Sequence, residues 1–278
     1  MNDLIGFFDS GVGGISVLHE AHRIMPNENY IFFGDNKNAP YGPRPLEEIR
    51  ALTAAGIQRL HDREVKAIVI ACNTATSAYA EIVRAEHPEL PIIGMEPALK
   101  PAHFARHGGK VIVLATDATL RLEKFQRLMA NYGDDAITVV GHGLVELVES
   151  GRAKSRETEL RLRDLLADYM DQQIDAVVLG CTHYPFLKTH VRAIFPDAAI
   201  FDGREGTAMR LKSQLEKYGL QSTGGAAGTI EYQTSGGAEM LELMRQLMRE
   251  LDGEEIERDL PDETNPFSFF QRCTLGGT

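Results

Sequence analysis

The chain has 278 residues, 43% of them hydrophobic and 25% charged, which is an ordinary globular composition and excludes disorder as the default. It carries 29 Lys and Arg against 40 Asp and Glu, and this net charge of −11 argues against nucleic acid or an anionic membrane as the main partner. Three cysteines are too few for a disulfide framework, so we expect a reducing, cytoplasmic setting. We also expect no membrane span, because no apolar run approaches the roughly 20 residues required.

Short apolar runs alternate with helical patterns along the first third of the chain. A helix is predicted to end near Met25 and another to cover Leu46–Leu60. This alternation is typical of βαβ units in a parallel sheet. The predicted strands are Leu4–Phe8, Asn29–Phe33, Lys66–Ala71 and Leu90–Met95.

The same alternation restarts near residue 111. The predicted strands are Val111–Ala115, Ala136–Val140, Ile174–Gly180, Ala199–Phe201 and, last, Thr229–Gln233. The predicted helices are Thr119–Ala130, Leu144–Glu149, Glu157–Asp171, Glu205–Tyr218 and Ala238–Leu251. The tail from Asp252 is first acidic and then aromatic, and we expect it to fold back or to contact another copy of the chain.

The two stretches have similar spacing. Asp9 and Cys72 each follow a predicted strand and are 63 residues apart, and Thr116 and Cys181 repeat this arrangement at 65 residues. We therefore predict an α/β protein of two similar, doubly wound, mainly parallel-sheet domains with the active site in the cleft between them. The first domain would comprise residues 1–96 and 207–278, and the second residues 97–206.

Two cysteines stand where chemistry is plausible. Cys72 comes where a strand ends and a helix begins, and backbone N–H groups at such a place lower the pKa of a thiol. Cys181 lies two residues before His183, whose imidazole can stabilise a thiolate or carry its proton. Taken singly, each thiol is more simply explained as a small buried apolar side chain. Cys181 and His183 also offer two metal ligands, but Zn²⁺ takes three or four.

The pair of thiols changes this balance. In equivalent places of two similar halves, Cys72 and Cys181 would face each other across a closed cleft. Two acid–base groups on opposite faces of one carbon suit removal of a proton from one face and its return to the other. The pair therefore indicates a racemase or an epimerase.

The turn Asp9–Gly14 resembles a dinucleotide fingerprint but fails at Ser16, where the third glycine would stand. Asp9 would also repel a pyrophosphate, although Asp35 at the end of the second strand leaves a dinucleotide site open. We favour Asp9 as the partner of a cationic amine, with Ser10 near the ligand. A plainer alternative is that one of them caps the following helix.

Five ordered segments resemble the glutamate racemases of the aspartate/glutamate racemase superfamily: FFDSGVGGISVL, FFGDNKNAPYG, IVIACNTAT, IIGMEPALKPA and VVLGCTHYPFL. The resemblance runs from Ile5 to Asp202. It implies interconversion of L- and D-glutamate without a cofactor or a metal, and supply of D-glutamate to peptidoglycan. It also implies a homodimer, with L- or D-glutamate as its small-molecule partner.

The resemblance implies a role for each matching residue. Cys72 matches the thiol that deprotonates D-glutamate and Cys181 the thiol that deprotonates L-glutamate. Asp9 and His183 match the residues that assist them, and Glu149 keeps a further acidic position of the catalytic set. The substrate-binding positions are matched by Asp9, Ser10, Tyr41, Gly42, Asn73, Thr74, Thr116, Thr119 and Thr182.

This chain departs from the family pattern before the acidic position. Gly141–Gly143 replaces an Ala-Cys-Pro segment, and Glu146 stands where some members have Pro, so Glu146 competes with Glu149 for the acidic role. Other functions stay open: a racemase for another acidic amino acid such as aspartate, a two-lobed binding protein, or a hydrolase using Cys181 and His183. We expect Cys273, in the tail, to take no part.

Overall fold

The computed structural model describes residues 3–258, with side chains described through Gly253. The aromatic end of the tail and Cys273 therefore lie outside the described residues. The described chain forms two sheets, and every strand pair in them is parallel. Among the described residues, no helix has both the length and the apolar character needed to cross a bilayer.

The first sheet has five strands in the order β4-β3-β1-β2-β9. Its central strands are buried on both faces, as their near-continuous apolar sequences require in a sheet covered by helices. The strands are β1 (Leu4–Asp9), β2 (Asn29–Gly34), β3 (Ala67–Ile70), β4 (Ile92–Gly94) and β9 (Ile230–Thr234).

The second sheet has four strands in the order β6-β5-β7-β8. They are β5 (Lys110–Ala115), β6 (Ala136–Val140), β7 (Ile174–Leu179) and β8 (Ala199–Asp202). The order β4-β3-β1-β2 of the first sheet is repeated here as β8-β7-β5-β6. The two sheets are therefore built alike, which confirms the predicted fold class, and β9 is an addition to the first.

The strand register refines the predicted repeat. Phe8 pairs with Ile70 in the first sheet, and Leu114 pairs with Leu179 in the second. Two residues beyond each of these pairs, Ser10 stands opposite Cys72 and Thr116 stands opposite Cys181. Ser10 therefore corresponds to Thr116. The equivalence of Asp9 with Thr116 was therefore wrong by one residue, because Asp9 is still paired within β1.

The helices cover the faces of the two sheets. They are α1 (Ile15–Ile24), α2 (Leu46–His61), α3 (Asn73–Glu86), α4 (Leu99–Phe104), α5 (Asp117–Arg121), α6 (Glu123–Tyr132), α7 (Leu144–Glu149), α8 (Arg156–Leu166), α9 (Lys188–Ile194), α10 (Arg204–Tyr218) and α11 (Ala238–Arg258). Short 3₁₀ turns cover Asn36–Asn38, Ala167–Tyr169 and Tyr184–Leu187.

Three predicted helices end elsewhere. The helix over Thr119–Ala130 was wrong as one element, because Leu122 is extended (φ −72°, ψ 143°) and packs against the core of the first sheet. The helix after Glu157 ends at Leu166, and the chain then tightens into a 3₁₀ turn. The last helix continues past Leu251 to Arg258.

The chain leaves the first sheet after β4 and returns to it after β8. On its return, α10 and α11 pack against α1, and β9 adds to β2. One buried apolar cluster includes both Phe7 of β1 and Leu179 of β7, so the two halves share a core. The boundaries placed at residues 96 and 207 remain a prediction.

Candidate active site

A small cavity lies between the carboxyl ends of the two sheets. Its volume is about 10 Å³, which leaves room for about one water molecule. Cys72 from the first half and Cys181 from the second both line it. The other lining residues are Ser10, Pro40, Tyr41, Gly42, Asn73, Thr74, Thr116, Thr119, Val145, Gly180 and His183.

Cys72 is the N-cap of α3, two residues beyond β3. Its Sγ lies 3.4 Å from the backbone nitrogen of Ala75 and 3.3 Å from Oγ of Ser10. Burial, reinforced by the nearby negative charge of Asp9, nevertheless raises the pKa of this thiol to about 12. Cys72 is therefore held as a thiol, contrary to the lowered pKa expected at a helix N-terminus.

Cys181 has an imidazole as its neighbour. Its Sγ lies 3.6 Å from Nδ1 of His183, and Nε2 of the same ring lies 2.6 Å from Oε1 of Glu149. Burial lowers the pKa of His183, but the hydrogen bonds and charges of Cys181 and Glu149 outweigh it and raise the pKa well above 6.5. The ring is therefore held as an imidazolium between a sulfur and a carboxylate.

Glu149 is the last residue of α7, where the helix dipole disfavours a negative charge. Three donors compensate: His183, the backbone N–H of Val12 at 2.6 Å, and Nδ2 of Asn36 at 2.8 Å. Burial raises the pKa of this carboxyl, but these donors and the His183 charge bring it below its ordinary value. Glu149 therefore contacts His183 directly beside the cavity. Glu146, the alternative, is exposed.

Asp9 lies behind the cavity wall and is fully buried. Its carboxylate accepts hydrogen bonds from the backbone N–H of Gly11 at 2.9 Å and from Oγ1 of Thr182 at 3.0 Å. Burial raises its pKa to about 6, against the lowering effects of His183 and of these two donors. Asp9 therefore changes charge close to neutral pH while sitting between the two thiol-bearing segments.

The glycine-rich turn after β1 is explained by close packing. A Cβ at Gly11 would overlap Oε1 of Glu149, and a Cβ at Gly13 would overlap His183 and Thr182. The turn therefore lets the Glu149–His183 pair of the second half reach the first half. This contact accounts for the glycines without a pyrophosphate.

Three threonines join the halves beside the thiols. Oγ1 of Thr74 lies 2.9 Å from that of Thr116 and 3.0 Å from that of Thr119. Next to them, Asn73 is 2% exposed, and neither its Nδ2 nor its Oδ1 has a hydrogen-bond partner among the described residues. An unpaired buried amide is costly, so Asn73 is the strongest structural sign that a polar ligand completes this cavity.

The Pro40–Gly42 loop forms another wall. The hydroxyl of Tyr41 donates to Oδ2 of Asp35 at 2.7 Å, and Oγ of Ser235 donates to Oδ1 at 2.6 Å. Burial, and then the hydrogen bond to Asp35, raise the pKa of Tyr41, so the phenol stays protonated. Asp35 thus orients the lining residue Tyr41 from outside the cavity, and its carboxylate is already engaged by Tyr41 and Ser235.

The structure brings the predicted site residues together in two layers. Ten of them line the cavity. Glu149 and Thr182 contact the lining residue His183 from behind, and Asp9 accepts a hydrogen bond from Thr182. Sequence reasoning missed Pro40, Val145 and Gly180 in the lining. It also missed Asn36, whose only sequence signal was its place in the loop between β2 and Tyr41.

One group of described residues could hold a metal ion: His61, His87 and Glu89, whose ligand atoms lie within 4.8 Å of one another. His87 is the C-cap of α3, whereas Cys72 is its N-cap. The group is therefore about 20 Å from Cys72 along that helix, at 1.5 Å per residue. It is separate from the cavity described above.

A sequence model of the Asp/Glu/Hydantoin racemase family matches residues 15–209. The glutamate racemase of Clostridium botulinum is 47% identical over 251 residues, covering 89% of this chain and 97% of that protein.

Two solved structures are similar over most of the chain. The glutamate racemase of Francisella tularensis in complex with D-glutamate aligns with a TM-score of 0.77 at 28% identity, covering 89% of this chain and 94% of that one. The Escherichia coli glutamate racemase in complex with L-glutamate and the activator UDP-MurNAc-ala has a TM-score of 0.78 at 26% identity. Here the coverage is 90% of this chain and 95% of that one.

Proposed function

The chain belongs to the Asp/Glu/Hydantoin racemase family, and on that premise we propose that it is a glutamate racemase that interconverts L- and D-glutamate by proton transfer at Cα. Its relatives at 45–50% identity bear that name. The observation that carries the mechanism is that Cys72 and Cys181, from corresponding positions in two similar sheets, line one cavity.

The environments of the two thiols support complementary roles. For L-glutamate, the Cys181 thiolate, paired with the His183 imidazolium, takes the Cα proton, and the Cys72 thiol delivers its proton to the opposite face. Cys181 is then a thiol and Cys72 a thiolate, which is the starting state for D-glutamate. The high pKa of Cys72 suits its role as the acid of the first direction.

The cavity wall supports stabilisation of the substrate. Loss of the Cα proton places negative charge on the α-carboxylate, and fixed hydrogen-bond donors lower the cost of that charge. Asn73 offers an unused amide, and the hydroxyls of Thr74, Thr116 and Thr119 lie together beside it. Ser10, Tyr41, Gly42 and Thr182 complete the proposed contacts. We propose that Asp9 supports Cys72 from behind the wall and that His183 and Glu149 support Cys181.

The test is incubation of each enantiomer with the protein in D₂O without added cofactor. We expect racemisation in both directions and entry of solvent deuterium at Cα of the product. Retention of the original Cα hydrogen, or a requirement for pyridoxal phosphate, would overturn the proposed chemistry. Tight binding of glutamate without turnover would instead favour the two-lobed binding protein.

An acidic amino acid one methylene shorter is the second candidate substrate, because the same polar wall suits aspartate. Comparing kcat/KM for glutamate and aspartate in both configurations decides between them.

We further propose that the D-glutamate formed supplies peptidoglycan synthesis. The family resemblance supports a homodimer, which sedimentation of the intact chain would test. Two thiols that must stay free support a reducing, cytoplasmic location.

A further inference from the structure

The Glu149 carboxylate depends on both halves of the molecule. It belongs to α7, and its partner His183 lies in the same half, but Val12 and Asn36, which donate to it, belong to the first half. If only the His183 contact were present, Oε2 of Glu149 would lack its Asn36 donor. Full hydrogen bonding of this carboxylate therefore exists only when the halves are together.

Asn36 is itself oriented by the strand that the first sheet gains last. The hydroxyl of Thr234 donates to Oδ1 of Asn36 at 2.6 Å, and its oxygen accepts from the backbone N–H of Gly236 at 2.9 Å. The Thr234 proton is thereby committed to Oδ1, so the amide must turn Nδ2 toward Glu149. Thr234 holds this place because it ends β9, opposite Gly34 at the end of β2.

A continuous polar path results. It runs from Thr234 through Asn36 to Glu149 in the other half, and then through His183 to Cys181. No corresponding path leads to Cys72, whose described side-chain hydrogen-bond partner is Ser10. The path therefore serves one thiol and not the other.

We propose that Asn36, oriented by Thr234, is a positioning residue for Cys181. Asn36 reaches across the junction of the two halves and holds Glu149 in place against His183. The proposal rests on the racemase function proposed above. The cavity, with room for about one water molecule, is too small to admit glutamate without opening. The hydrogen bond from Asn36 to Glu149 would break if the halves separated to admit substrate.

A residue that supports only Cys181 should affect the isotope effects of the two enantiomers differently, whereas general damage to the fold should not. Slowing the proton transfer at Cys181 makes that step more rate-limiting, so the primary isotope effect with Cα-deuterated L-glutamate rises. With Cα-deuterated D-glutamate, which Cys72 deprotonates, the isotope effect falls. For Asn36→Ala we expect kcat/KM to fall roughly 10-fold to 100-fold, the loss typical of a hydrogen bond to a charged group, with this opposite movement of the two isotope effects.

The two ends of the same strand pair provide a matched control. Thr229, immediately before β9, donates to Oδ1 of Asn29 in β2 at 2.9 Å, which makes another Thr–Asn pair at the far end of these strands from the cavity. Asn29→Ala should leave both isotope effects at the wild-type values. Thr234→Val should reproduce the Asn36→Ala pattern, and Thr234→Ser, which keeps the hydroxyl, should restore the wild-type pattern.

The outcomes separate the two proposals. If wild type racemises glutamate but Asn36→Ala and Thr234→Val leave the isotope effects balanced, the positioning role is wrong and the racemase function stands. Equal disturbance by Asn29→Ala would show a merely structural role and would also overturn it. Wild type that racemises neither enantiomer would overturn the proposed function itself. If Asn36→Ala fails to fold, the Thr234→Val and Thr234→Ser pair carries the test.

Discussion

Cys72 and Cys181 each lie two residues beyond the end of a strand, and their strands β3 and β7 occupy corresponding places in the two sheets. Their surroundings differ, since Cys72 contacts a hydroxyl and a backbone N–H, whereas Cys181 contacts an imidazole tied to a carboxylate. A duplicated backbone thus presents two unlike acid–base groups to one cavity. The predictions below test what each group and its support contribute.

Removing either thiol should abolish racemisation. We expect Cys72→Ser and Cys181→Ser each to lower kcat roughly 10²-fold to 10⁴-fold, because each would lose one acid–base group. The measurement is the rate of racemisation from each enantiomer. Cys273→Ser is the control and should keep wild-type rates. Full activity in either cavity variant would rule out the two-thiol mechanism.

Asp9→Asn should stabilise the fold while it lowers activity. The folded-state pKa of Asp9 is raised from 3.8 to about 6, so the folded state favours the protonated carboxyl. The free energy of unfolding therefore falls as the pH rises through 6. The penalty above that pH is about 3 kcal/mol, and neutral Asn avoids it. Urea unfolding between pH 4.5 and 7.5 should show the variant gaining on wild type as the pH rises. A constant difference across this range would contradict the burial argument.

Glu149→Gln should destabilise the fold, and most strongly at acidic pH. The raised pKa of His183 contributes stability that is present below pH 6.5 and is lost as the pH rises through the folded-state value. Neutral Gln removes the main carboxylate support for the imidazolium. The variant should therefore be most destabilised relative to wild type near pH 6, and the deficit should shrink at alkaline pH. Chemical unfolding across pH 5.5–9 measures this, and a deficit that grows with pH would refute it.

Thr119→Val should weaken substrate binding. The hydroxyl of Thr119 joins those of Thr74 and Thr116 at the cavity, and we expect KM for both enantiomers to rise roughly 5-fold to 30-fold. Thr53→Val is a matched control, because Thr53 is equally buried but donates to the carbonyl of Ile49 within α2. Steady-state kinetics should show an unchanged KM for that control. An equal rise in both variants would remove the binding role of Thr119.

Gly13→Ala should cost both activity and stability, since the added Cβ would overlap His183 and Thr182. We expect destabilisation of about 1–3 kcal/mol, as for other overpacked sites. Gly206→Ala is the contrasting variant, because a Cβ there meets no atom within 4 Å in helix α10. It should gain up to about 1 kcal/mol of stability with unchanged kcat. Thermal unfolding and initial rates compare the two.

Local pattern was a good guide wherever burial is periodic along the chain. Strand β6 and helix α7 have the predicted bounds, and the other strands differ by a few residues at their ends. It misled at Leu122, where packing against the first sheet outweighs helical periodicity. It also misled at Asp9, because the end of a parallel strand depends on its neighbours' register and not on its own residues.

The sequence by itself determined the two α/β sheets, the two thiols at equivalent strand ends and most of the residues that line the cavity, because each of these follows from periodic burial or from short segments. Only the tertiary structure decided which groups contact which thiol and how those groups are themselves held. The bonds from Asn36 and Val12 to Glu149 and from Thr234 to Asn36 join residues more than 100 positions apart. Such partners depend on how the halves pack, and no local pattern records that packing.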